Sequence, residues 1–173
     1  MKDIPLTNYQ LIAFFIPGQL FVFSYFIACE NIKNIGSLVS CLQSVNIGFL
    51  LVSVAMSFLV GLVFDAIRNG CIEKCFDKCE KNKSKKMNWD FFYTGKKDDV
   101  GVFYGRYFTY YCFDFNLILS LISSLILIDG YSSLEYKYAI TVTVILSIGF
   151  LIRDGISLRN DMIDVTNYKK NTP

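Results

Sequence analysis

Histidine is missing from all 173 residues, and charge is scarce, with Asp, Glu, Lys and Arg together making up 18%. The missing imidazole removes the commonest general base and the commonest metal ligand, so no enzyme, cofactor or metal centre is expected. A soluble domain carries about 25% charged residues, and the deficit here is concentrated in four long apolar runs. No repeat and no low-complexity tract is present. A net charge of +2 is too small to mark a nucleic-acid surface, and no direct nucleic-acid partner is expected.

Apolar side chains are abundant instead, at 53% of the chain, and mean hydropathy is +0.40. The length suits one domain. About 20 predominantly apolar residues cross a bilayer core as a helix, and four stretches meet that length, at about 9–29, 46–67, 107–128 and 136–152. The expected fold is an all-α membrane protein of four transmembrane helices with helical cytoplasmic extensions, a connection over 68–106 and a tail over 153–173.

Basic residues orient it. The connection over 68–106 holds ten of the 17: Arg68, Lys74, Lys78, Lys81, Lys83, Lys85, Lys86, Lys96, Lys97 and Arg106. Arg153, Arg159, Lys169 and Lys170 follow the fourth run and Lys2 precedes the first, leaving only Lys33 and Lys137 on the opposite side. Positive charge stays cytoplasmic, so both termini are expected inside a bacterial inner membrane. A cleaved signal over the first run is disfavoured, because Pro17-Gly18 breaks the apolar stretch and Asp3 offsets Lys2.

Cys29 and Cys41 fall on the outer side, where they either pair as a disulfide or serve as two small apolar residues at span ends. Cys71, Cys75 and Cys79 recur every four residues, which places them along one helical stripe. Such a stripe rises about 12 Å over two turns and cannot converge on one zinc ion. Packing is the expected role, with Ile72 and Phe76 beside it and Glu73, Lys74, Asp77 and Lys78 on the opposite side. The following aromatic segment, with Trp89 and Phe91, is expected to lie under the helices at the membrane surface. Cys71, Cys75, Phe76, Cys79, Trp89 and Phe91 form the candidate surface for a cytosolic effector protein.

Polar residues inside the apolar runs are the other candidates. Asp114 sits a turn or so into the third run, where an ionised carboxylate needs a partner, water or a proton. Asp65, Arg68, Arg106 and Arg153 lie at similar depth, and the expected arrangement is a charged ring joining them to Asp114, as salt bridges or as a vestibule for ions. A diaspartate pair of Asp65 and Asp114 is a third arrangement. Asn116 falls on another face, with Ser120 and Ser123. Ser53, Ser57 and Gly61 form a small-residue stripe that lets helices approach closely, and such stripes suggest self-association around an axis. Pro17 interrupts the first run and invites a kink.

This plan, together with the segments "IPGQLF" and "GLVFDAIRNG", resembles the small four-span membrane subunits of bacterial anti-phage defence systems, the Kiwa-type subunit above all, with the membrane accessory proteins of RNA-targeting CRISPR loci second. The resemblance implies a homo-oligomer, a tetramer, that presents its cytoplasmic face to a soluble effector or perturbs the membrane. Two functions are carried forward. One is a non-enzymatic, oligomeric membrane anchor or gate. The other is an ion channel or small transporter with Asp114 and Asn116 lining its path.

Overall fold

The computed structural model describes residues 11–30, 32–80, 87, 100–101, 103–131 and 137–168, and no strand occurs among them. A π-helical turn, Leu11–Phe15, leads into α1, Ile16–Cys29. The short α2, Ile35–Gln43, precedes α3, Ile47–Ile67. A second π-helical turn, Arg68–Ile72, carries α3 directly into α4, Glu73–Glu80. A third, Tyr104–Phe108, opens α5, Thr109–Tyr131, and α6 spans Lys137–Tyr168.

Local chemistry sets these boundaries. Asn46 caps α3, its Oδ1 accepting the Phe49 N–H at 2.8 Å and satisfying one of the donors a helix start leaves open. The 21 residues of α3 rise about 31 Å at 1.5 Å each, the thickness of a hydrocarbon core. The 32 residues of α6 rise about 48 Å, so this helix outruns any bilayer core. The expected tail over 153–173 is therefore helix as far as Tyr168. Its sequence explains why: Gly155, Arg159, Met162, Ile163 and Thr166 are buried and Leu158 is half-buried, which is the i, i+3, i+4, i+7 pattern of an amphipathic helix.

Four helices are long and apolar enough to cross a membrane, within Ile12–Cys29, Ile47–Cys79, Thr109–Gly130 and Lys137–Asn167. They pack as a row. α1 lies between α3 and α5, and α6 lies against the other side of α5. Parallel alignment of α1 and α5 is fixed by two bonds that advance together by four residues: Asn116 Nδ2 to the Ala13 carbonyl and Ser120 Oγ to the Pro17 carbonyl.

The core is not at the middle of the apolar helices. It gathers where α1 and α5 begin, around Ala13, Met87, Phe103, Tyr111, Cys112, Phe115, Ile118, Met162 and Ile163. This is the charged end of the molecule, and it holds the candidate site.

Candidate functional site: a buried charge cluster at the start of α5

Glu73 is the hub. Its two carboxylate oxygens accept from two different arginines, Arg68 Nη1 at 2.9 Å and Arg159 Nη1 at 2.6 Å. Both arginines are 2% exposed. Arg68 also donates from Nε and Nη2 to Asp65 Oδ1, at 3.1 and 2.8 Å, and Arg159 Nη2 donates to Asp77 Oδ1 at 3.3 Å. Tyr111 closes the centre: its hydroxyl accepts from Arg159 Nη1 at 3.3 Å, and both guanidinium carbons lie within 6.0 Å of its ring. Arg159 further sits over the Phe76 ring at 4.6 Å. A buried arginine is tolerated only with its charge matched and its fork of donors filled. Carboxylates and aromatic faces together supply both here. The cluster ties α3, α4, α5 and the far half of α6 into one unit.

A π-helical turn makes this possible. The Glu73 N–H bonds to the Arg68 carbonyl, five residues back, so one more residue is wound into that turn than in an α-helix. Everything downstream is rotated by about 100°, one residue's step. Glu73 and Phe76 consequently face inward, with Phe76 edge-on to Phe115 at 5.6 Å. Cys71, Cys75 and Cys79 face outward and are exposed as free thiols. The expected facing of this segment is thus inverted: the cysteines are exposed rather than packed, Glu73 is buried, and Phe76 is half-buried against the core. Trp89 and Phe91 lie outside the described residues. Cys29 and Cys41 are also free thiols.

The expected charged ring forms only in part. Asp65 and Arg68 are joined, but Arg153 is exposed and the Arg106 side chain lies outside those described. Asp114 is 4% exposed and pairs with no cation among the described residues. It faces Asp154 of α6 instead, and its Oδ2 has no hydrogen-bond partner. Asp154, Arg153 and Ser157 line a shallow groove on α6 of about 520 Å³. A diaspartate pair of Asp65 and Asp114 is not formed, because Asp65 is held by Arg68 and Asn69 while Asp114 looks the other way. Glu73, Asp77, Tyr111 and Arg159 are the members that sequence reasoning missed.

The polar residues of the third span have a structural employment. Pro17 has no N–H to give the Ala13 carbonyl, and Asn116, 0% exposed, donates to it at 2.9 Å. Ser120, also 0% exposed, donates to the Pro17 carbonyl at 2.6 Å. Within the chain Asn116 is thus held between α1 and α5 through its Nδ2, while its Oδ1 has no hydrogen-bond partner among the described residues. Its buried stripe continues to Ser124 rather than Ser123, which is half-buried.

The small-residue stripe of α3 is likewise used within the chain. A Cβ on Gly18 would strike the Ser57 carbonyl, and one on Gly61 would strike the Phe14 backbone. Ser57 Oγ reaches Gln19 Oε1 at 2.8 Å and the Ser53 carbonyl at 2.6 Å. Ser53, Ser57 and Gly61 thus pack α3 on α1, so this stripe is used within the chain.

Among the described residues no group of three or more Cys, Asp or Glu is placed to hold a metal ion. The chain matches no protein-family model, no curated protein and no solved structure.

Proposed function

We propose that this is a multi-pass membrane protein that acts as a non-enzymatic anchor, with its charged end turned to the cytoplasm and offered to a soluble effector protein. The observation that carries the reading is the Arg68–Glu73–Arg159 cluster. It ties α4 and the far half of α6 to each other and to α3 and α5 through buried ion pairs, building beyond the apolar runs a platform on which a soluble partner can dock. The basic connection supports the cytoplasmic placement through the positive-inside bias. An acid–base reading has little to draw on, because the buried ionisable groups of the cluster are spent on one another.

A defence role and a tetramer rest on the resemblance to anti-phage membrane subunits alone. The structure withdraws one argument for self-association by using the small-residue stripe internally.

A channel or small transporter is the second reading, favoured by one feature: the buried, unpartnered Asp114 oxygen facing Asp154 beside the α6 groove. Reconstitution into dye-loaded vesicles separates the two. The anchor reading expects wild type and Asp114→Asn to be as ion-tight as protein-free vesicles. A wild-type flux that Asp114→Asn abolishes, with insertion unchanged, overturns it in favour of the channel.

A further inference from the structure

The link between α1 and α3 contains a complete, capped helix that packs on almost nothing. Asn34 and Ser37 bond reciprocally at its start, the Ser37 N–H donating to Asn34 Oδ1 at 2.9 Å and the Asn34 N–H to Ser37 Oγ at 3.2 Å. This is a capping box, which satisfies two open donors and lets a short helix hold its shape. No other helix makes an extensive contact with α2. Its apolar side chains are consequently bare: Ile35 is 72% exposed, Val39 48% and Leu42 46%. With Leu38 they follow an i, i+3, i+4, i+7 pattern and cover an arc of about 100°. Ser37, Ser40 and Gln43 occupy the opposite arc.

A nine-residue helix with a bare apolar stripe is unfavourable in water, because each exposed aliphatic side chain forgoes the free energy of leaving it. Chain connectivity says where the stripe can go. Only Ser44, Val45 and Asn46 join α2 to α3, and three extended residues reach at most roughly 11 Å. The C-terminal end of the helix therefore stays within that distance of the point where α3 begins its apolar run. The exposed faces of α3, with Ile47 at 76% and Leu51 at 67%, continue toward the same boundary.

We infer that α2 lies flat in the bilayer interface on the side opposite the charge cluster, with Ile35, Leu38, Val39 and Leu42 dipped into the acyl-chain boundary and Ser37, Ser40 and Gln43 in water. The inference rests on the membrane placement proposed above. The lipid chemistry is also specified. Residues Ile35–Gln43, IGSLVSCLQ, contain no Lys, Arg, Asp or Glu, so the helix has no charge with which to select anionic headgroups. Apolar insertion is then the whole attraction, and zwitterionic phosphatidylcholine suffices. In this the outer surface differs from the basic connection at the other end, whose attraction to lipid would be electrostatic.

The test uses tryptophan fluorescence in a Trp89→Phe background, which removes the one native tryptophan. Val39→Trp, Ser40→Trp and Leu146→Trp are each reconstituted into phosphatidylcholine vesicles brominated on the acyl chain. Leu146, 61% exposed in the apolar part of α6, reports the membrane placement itself. The expected result is strong quenching at Leu146→Trp and Val39→Trp and several-fold weaker quenching at Ser40→Trp, unchanged between low and high salt. Equal quenching at Val39→Trp and Ser40→Trp overturns the proposal, since the helix then has no lipid side. Quenching at Leu146→Trp alone also overturns it. In that case an emission that shifts to the red as the protein is diluted in lipid identifies a second copy as the cover. If Leu146→Trp is unquenched too, the bilayer placement itself falls, and α2's role with it.

Discussion

The two ends of this molecule hold their helices together by opposite means. Along the apolar length, α1 meets α3 and α5 through Gly18, Ser57, Gly61 and Ser120, with backbone almost against backbone. At the charged end the contacts are made by the largest and most polar side chains available: Arg68, Arg159, Tyr111, Phe76 and Glu73. In the membrane placement proposed above, solvent accounts for the difference. Lipid tails are as apolar as leucine, so helices surrounded by them gain nothing from burying leucine and must gain from close van der Waals approach and interhelical hydrogen bonds. Beyond the apolar run, burial from water again has value, and side chains that combine a long apolar stem or ring with a polar tip can use it.

Substitutions that exchange one mode for the other are the sharpest tests. The largest effect is expected from Glu73→Ala, which leaves two arginines buried without their shared carboxylate. Thermal or denaturant unfolding in detergent should lose on the order of 3–5 kcal/mol. The double variant Glu73→Ala/Arg159→Ala should cost less than the sum of the two singles, because the members act as a unit. Additivity there would show that the cluster is not one.

Gly18→Ala ranks next. It adds a single methyl at a backbone contact, and overpacking of this kind costs about 1–3 kcal/mol. Gly149→Ala, the same one-methyl change, is the control and should cost little, since nothing lies within 4 Å of that position. Equal stabilities for the two would mean that the α1–α3 approach is not close.

Asn116→Ala strands the Ala13 carbonyl next to Pro17, and the loss of one buried partner is worth about 1–3 kcal/mol. Pairing it with Pro17→Ala should recover part of that loss, because the restored N–H can take over the carbonyl. A Ser120→Ala variant should cost only about 0.6 kcal/mol, the average for an interhelical bond between membrane helices. The smallest effect is expected at Asp114→Asn. It removes one of two facing carboxylates and no ion pair, so the unfolding midpoint should hold or rise. A large fall would reveal a cation bound there.

Much of the fold was legible from residue order. The four apolar runs needed only length and composition, whereas the short capped helix α2 between the first two, started by Asn34, was not read from the sequence. The sequence placed Asn116 and Ser120 on one helix face, which the structure shows as a buried face continuing to Ser124, but it did not read that face as the contact with α1. The partners were not legible. Asn116 answers a proline 99 positions away in the chain, and no periodicity links the two. The sharper failure concerns Glu73 and the three cysteines. A helical wheel assumes 3.6 residues per turn, and one π-helical turn at Arg68–Ile72 moves every later residue onto another face. Nothing local in "RNGCI" announces that turn.

Residue order alone therefore determined the helical class, the four long apolar elements and their alternating direction, because each follows from local composition and chain continuity. Tertiary structure alone decided which charges meet, that Asp114 faces a second carboxylate instead of an arginine, and that the small-residue stripe is used within one chain. Those outcomes depend on the rotation of one helix about its own axis relative to its neighbours. That rotation is set by close packing and by a single wider turn, and neither is written in any one segment.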